Sequence, residues 1–437
     1  MIFLVRVAAL LSILIGGAAA ANAPFAPGFD KAAAEAAFPA ASRQHNASLT
    51  DLYGMRGLPP PSMRTATVAE VAGFLERRDD AARYPAKTAI LFYALKDGQL
   101  SAWLIDRAGL RAASRAPMTE AQLDAAIRNL RLSLNVDGIS RSRAPRLRAA
   151  KDERLEGRNF LEKDVGALST MLLPKPIVEG LKGTEHLLVV ANGAIATVPL
   201  AILKLDRKAM LIDRTTISVS PGLFDADQMI RPWDSKAAMA SALIVGNPKV
   251  APSTVWDVPD LPGAEEEARS FAALIGRPAL VGAAARKDAI VPQLGAAKLL
   301  YFAAHGVSNP DEPLTGGFLM LSGDSSEGGF LRAAEIQRRR LSAALVVLSA
   351  CQSGLGLVHD GGVIGLSRSF QKAGAPRVVM SLWSVSDEAT VALMSSFQRH
   401  LLAEVPAVAL RNAMLETRRN FPEPSLWAPF VLFGTPR

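Results

Sequence analysis

The sequence predicts an α/β fold, a mostly parallel sheet flanked by helices and preceded by a smaller α/β part. Three observations point to it. Apolar runs such as Leu299–Ala304 and Leu345–Ala350 show no polar alternation, as expected of strands covered on both faces. Segments with apolar residues at helical spacing lie between such runs. The 437 residues are 49% hydrophobic and 21% charged, enough apolar material for one large core or two ordinary ones.

Element by element, residues 1–21 read as a secretory signal. Arg6 supplies the positive charge, Val7–Ile15 the apolar run, and Gly16–Ala23 the small residues for cleavage near Ala20 or Ala21. The apolar run is short for a membrane span. The mature chain is therefore expected in the periplasm or outside the cell with no stable span; an uncleaved anchor is the alternative. Residues 22–64 are rich in Ala and Pro and read as a linker with at most one short helix, Lys31 to Phe38.

Residues 65–235 form the first α/β part. Thr67–Glu70 is a helix entry. Strand runs at 88–95 and 100–106 flank Asp97-Gly98, a hairpin turn pair. Leu123, Ile127, Leu130 and Leu134 follow helical spacing behind the start signals Thr119 and Glu120. The stretch 140–152 reads as a basic loop. A helix over 159–173 stops at Pro174 and Pro176. A strand at 186–190, a helix starting at Val198-Pro199-Leu200 and a strand at 216–220 follow. The polar break around Arg231–Lys236 is the candidate boundary.

Residues 236–437 are more regular. Strands are predicted at 241–245, 299–304, 318–321, 345–350, 377–383 and 430–433. Helices are predicted from Leu261, over 363–373 up to Gly374, over 387–402 and over 405–420. Residues 307–317 have neither pattern and are a candidate lid. No internal repeat is evident.

Composition narrows the chemistry. The net charge is +8, but the basic clusters at 141–148 and 338–340 lack interleaved aromatics, so no nucleic-acid partner is expected. A single cysteine excludes an intramolecular disulfide framework and a cysteine-rich zinc site. The five histidines are scattered, so neither a metal nor a cofactor is expected. The lone thiol of an exported chain is either shielded or present for its reactivity.

That thiol, Cys351, follows one strand pattern, and His305 follows another; their separation is 351 − 305 = 46 residues. In an open parallel sheet the site is built beyond the carboxyl ends of the strands. If the two strands are neighbours, imidazole and thiol rise from the same edge. The imidazole would then serve as general base and later protonate a leaving amine. Gly306 and Gly354 let a peptide backbone approach, and the amides of Gly306 and Cys351 are candidate oxyanion donors. No third member is evident in the sequence, although a carbonyl near the 240s strand would serve to orient the imidazole. His359 is a rival base.

The segments Phe302–Gly306, Leu345–Gly356, Gly362–Leu366 and Ser381–Thr390 resemble those of CHAT-domain peptidases, relatives of caspases, separases and gingipains. The pairing of Ala350-Cys351 with a histidine 46 residues upstream is similar to the caspase signature. The resemblance, spanning about 65–437, implies a caspase-like core after the 230s break, preceded by a smaller related α/β part. It implies His305 and Cys351 as the catalytic dyad of a cysteine endopeptidase acting on a protein or peptide substrate by acyl-enzyme chemistry. It also implies that Ser381, Trp383 and Asp387 line substrate subsites, Asp387 then matching a basic P1 residue. A helix cap is the plain alternative for Asp387, and a catalytically silent interaction module is the alternative for the whole chain.

Overall fold

The computed structural model describes residues 29–55, 65–77, 87–136, 150–191, 193–220, 222–223, 232–252, 258–307, 316–325, 327–349, 360–383 and 387–436. The signal pattern at 1–21, most of the candidate lid, Cys351, Gly354 and His359 lie outside these residues.

Among the described residues eleven strands form one sheet, in the order β3-β2-β1-β4-β5-β14-β13-β12-β8-β6-β7. The strands of the first part are β1 (Thr88–Lys96), β2 (Gln99–Asp106), β3 (Gly109–Pro117), β4 (His186–Val190) and β5 (Thr216–Ser220). Those of the second are β6 (Ala242–Pro248), β7 (Ala279–Gly282), β8 (Leu299–Ala303), β12 (Leu345–Leu348), β13 (Arg377–Ser381) and β14 (Phe430–Gly434). A separate three-stranded sheet joins β9 (Gly306–Val307), β10 (Phe318–Met320) and β11 (Phe330–Arg332). The principal helices are α1 (Lys31–Met55), α2 (Val68–Arg77), α3 (Glu120–Ser133), α4 (Ala150–Leu172), α5 (Pro262–Ile275), α6 (Asp360–Lys372), α7 (Asp387–Leu401) and α8 (Pro406–Asn420).

The large sheet is mostly parallel, as the unbroken apolar runs require. Strand β14 runs antiparallel to β13 and parallel to β5. The carboxyl ends of β6, β8, β12 and β13 therefore share one edge, and those of β1, β4 and β5 lie at the other.

Local signals act as the sequence predicts at several points. Asp97 and Gly98 adopt φ of 49° and 69°, the left-handed pair of a tight hairpin. Thr119 caps α3 in a reciprocal capping box with Gln122. Gly276 ends α5 in the left-handed conformation.

Other elements differ from expectation. The short helix at 31–38 is instead the 25-residue α1, which carries Pro39 in its interior. An internal proline costs about 3 kcal/mol, and burial offsets it. Ala34 and Phe38 are fully buried, Phe38 meets the rings of Phe92 and Trp103 edge-on, and the Trp103 indole N–H donates to the Ala34 carbonyl at 2.9 Å. Helix α4 begins before residue 159. The helix expected from Val198 is only two 3₁₀ turns, at Gly193–Thr197 and Leu200–Ile202, with Pro199 between them. Strands β3, β7, β9 and β11 were not expected. The Gly-Leu-Arg-Ala-Ala-Ser-Arg-Ala-Pro of β3 carries little strand character, and its hydrogen bonds come from β2.

The two parts are joined by side chains as well as by the sheet. From α8, Arg411 donates to the carbonyls of Ile212 (2.6 Å) and Asp213 (2.7 Å), and Arg418 donates to the Asp213 carboxylate at 2.6 Å. Among the described residues no helix is long and apolar enough to cross a membrane.

Candidate active site

Strands β8 and β12 are hydrogen-bonded, parallel neighbours, with Leu348 opposite Phe302. Both are buried throughout, between α5 and α7 on one face and α6 on the other: Phe271 of α5 meets Tyr301, and Phe370 of α6 meets Phe302. In the chain His305 lies three residues past Phe302, and Cys351 three past Leu348.

His305 is buried, 5% exposed, directly after β8. Its carbonyl accepts the Met320 amide at 2.9 Å, which fixes the backbone against β10. Its Nε2 lies 2.7 Å from the Pro259 carbonyl oxygen. A carbonyl only accepts, so Nε2 carries a proton, and whenever the ring is neutral its lone pair is at Nδ1. The Pro259 carbonyl is the orienting group that the sequence left open near the 240s strand.

Asn247 builds that contact. It sits near the end of β6 at a φ of 42°, a left-handed conformation that asparagine tolerates better than most residues. Its Oδ1 accepts the Leu261 amide at 3.0 Å, and its Nδ2 donates to the carboxylates of Asp260 (2.9 Å) and Glu265 (3.4 Å). The residues around Pro259 are thereby folded back toward the edge where His305 lies. A Cβ on the preceding Gly246 would stand 2.4 Å from the Ala268 Cβ and 2.9 Å from the Ala264 carbonyl oxygen. Only glycine lets α5 lie this close to β6.

Below this edge lies a buried polar cluster. The Glu267 carboxyl, 1% exposed on the inner face of α5, accepts from the Tyr301 hydroxyl at 2.6 Å and from the Ser349 hydroxyl at 3.0 Å. Gln398 of α7 donates to the Tyr301 oxygen at 2.8 Å. Burial pushes the Glu267 carboxyl up to about 8, against the opposing pull of the two hydroxyls. Burial, with the neighbouring carboxyl, also pushes the Tyr301 phenol well above its ordinary range.

The remaining sequence candidates are placed as follows. Gly306 is buried in β9, opposite Leu319. Ser381 ends β13 and Trp383 follows it, but both are 2% exposed. The Trp383 indole packs in the core and donates to the Ser425 carbonyl at 2.9 Å. Both side chains are thus enclosed in this structure, and the Pro424–Trp427 turn meets the Trp383 indole through the Ser425 carbonyl. Asp387 is the first residue of α7. The sequence did not mark Asn247, Glu267 or Gln398. Glu267 had a usable signal, since it interrupts the apolar stripe of Ala264, Ala268 and Phe271 at helical spacing.

Comparison with known proteins adds the following. The profile of the CHAT domain family matches residues 162–435. Tetratricopeptide repeat protein 28 of Homo sapiens is 29% identical over 296 residues, covering 57% of this chain and 12% of that protein. The Mus musculus protein of the same name is 30% identical with the same coverage. The chain thus spans about an eighth of these relatives. In the Saccharomyces cerevisiae separase–securin complex, a chain superposes with a TM-score of 0.56 at 9% identity, covering 92% of this chain and 34% of that one. This likeness supports a shared fold. The Arg-specific cysteine proteinase gingipain R is similar at a TM-score of 0.41 and 10% identity, over 63% of this chain and 67% of that one.

Proposed function

Because the chain belongs to the CHAT domain family, we propose that it is a cysteine endopeptidase in which His305 and Cys351 cleave a protein or peptide substrate through an acyl-enzyme. One observation carries this reading. The imidazole past β8 is held in one tautomer by the Pro259 carbonyl, and the neighbouring strand β12 leads within three residues to the lone thiol.

The chemistry then runs through Nδ1. The imidazole takes the proton of Cys351, and the thiolate sulfur bonds to the scissile carbonyl carbon. The oxyanion is met by the amides of Gly306 and Cys351. The C–N bond breaks as the imidazolium returns its proton to the leaving amine. Water, deprotonated by the same nitrogen, adds to the thioester and releases the acid and the thiol. The Pro259 carbonyl accepts from Nε2–H throughout and favours the imidazolium. Asp387 is the acidic group proposed to meet a basic P1 side chain.

The test incubates the mature protein and Cys351→Ala with a peptide library. Cleavage by the first alone is expected; equal cleavage by both removes Cys351 from the mechanism. Export is part of the same proposal and rests on the 1–21 pattern. N-terminal sequencing of the cell-fractionated protein tests it, and an intact Met1 in the cytoplasmic fraction would count against it.

A catalytically silent interaction module is the second reading. The burial of Ser381 and Trp383 favours it, as does the similarity to Tetratricopeptide repeat protein 28. It requires that an electrophilic peptide probe leave Cys351 unlabelled.

A further inference from the structure

The Glu267 cluster spans the two strands that the dyad depends on. Tyr301 belongs to β8, four residues before His305. Ser349 follows β12, two residues before Cys351. Glu267 holds one hydroxyl on each of its two oxygens, and Gln398 holds the phenol from α7. A buried carboxyl is costly to desolvate, and an apolar residue of similar volume would pack as stably.

We infer that Glu267 is a positioning residue for the dyad, tying the strand that ends at His305 to the strand that leads to Cys351 and coupling its own protonation to the orientation of the Ser349 hydroxyl. The inference rests on the proposed peptidase only for the roles of those two residues. The ionised carboxylate accepts from both hydroxyls. On protonation one carboxyl oxygen becomes a donor and needs an acceptor. The Tyr301 oxygen already accepts from Gln398, so Ser349 Oγ is the acceptor at hand, and its hydroxyl proton turns away from Glu267.

Among the described residues, the groups facing Glu267 are few. Strand β8 presents the Tyr301 phenol, the segment after β12 presents the Ser349 hydroxyl, and α7 presents the neutral Gln398. On its own helix, Glu265 binds Asn247 and Arg269, and Glu266 is exposed. Among the described residues no ion pair joins Glu267 to a cation. Its titration, near pH 8, falls in the range where a thiol is also changing charge.

Cys351 is the chain's only thiol, so iodoacetamide reports on it alone. The alkylation rate of the full chain is followed from pH 6 to 9.5 for wild type, Glu267→Gln and Ser349→Ala, with circular dichroism and melting recorded for each. In wild type the profile is expected to carry an inflection near pH 8 besides that of the thiol. Glu267→Gln removes it and changes the rate at pH 9 threefold or more, and Ser349→Ala displaces it. If Glu267→Gln does not fold, Ser349→Ala decides, since it leaves Glu267, Tyr301 and Gln398 in place. Folded variants whose profiles superpose on wild type overturn the inference. This readout does not depend on peptide cleavage, so a chain that cleaves nothing removes the peptidase proposal and still leaves this one tested.

Discussion

The Pro259 carbonyl oxygen stands 2.7 Å from Nε2 of His305, although 46 residues separate them in the chain. The contact fixes the imidazole's tautomer, and Asn247 holds the residues that provide it. Replacing Asn247 by Ala removes three hydrogen bonds and leaves a β-carbon at positive φ. A loss of about 1–3 kcal/mol in stability is expected, with kcat/KM reduced about tenfold through a loosened imidazole. Asn247→Gly relieves the φ strain while losing the same bonds. Equal activity in both variants and wild type, read on one peptide substrate, would separate Asn247 from the site.

His305→Ala and Cys351→Ala should each lower peptide cleavage by about a thousandfold or more, and the double variant should be no worse than either single one, because the pair acts as a unit. Additive losses in single-turnover assays would contradict this.

The Glu267 carboxyl gives a stability slope of defined sign. Its folded value, about 8, lies above its ordinary 4.5. Between those pH values the folded state binds the extra proton, so stability is full below 4.5, falls as pH rises, and levels off above 8. The slope is at most about 1.4 kcal/mol per pH unit. Urea melts at pH 5, 6.5 and 8 should show this decline in wild type and a flatter one in Glu267→Gln. Parallel declines would place the titration elsewhere.

Asp213 acts in the opposite direction. Burial works against its ionisation, but the Arg418 and Met210 hydrogen bonds outweigh it and hold the carboxyl below its ordinary 3.8. Its stabilisation is present above 3.8 and is lost as pH falls through the lower folded value. Asp213→Asn should cost about 2 kcal/mol at pH 7, and the cost should shrink as pH is lowered below 3.8, measured by thermal melts. A cost that stays constant down to the acid limit of folding would show that the carboxylate charge is not what joins α8 to the first part.

Gly246→Ala should destabilise the chain by about 1–3 kcal/mol, because the new methyl forces α5 away from β6. It should also change Cys351 alkylation, since α5 carries Glu267. A crystal structure of the variant with α5 unmoved would refute the packing argument.

The local features of this protein were legible in its sequence. Unbroken apolar runs marked β8, β12 and β13, Asp97-Gly98 marked a hairpin, and Thr119 marked a capped helix, because each depends on residues within a few positions. His305 and Cys351 were singled out the same way, as chemistry-bearing residues at strand ends. Long-range pairing decided the rest. Backbone hydrogen bonding made β8 and β12 neighbours in register, reversed β14 to join two half-sheets, and held β3 against β2 despite its weak composition. Burial carried α1 through Pro39 and enclosed Trp383. A carbonyl near the 240s strand was expected to orient the imidazole, but its identity was not legible, since every residue has one and only the fold selects Pro259 to meet His305.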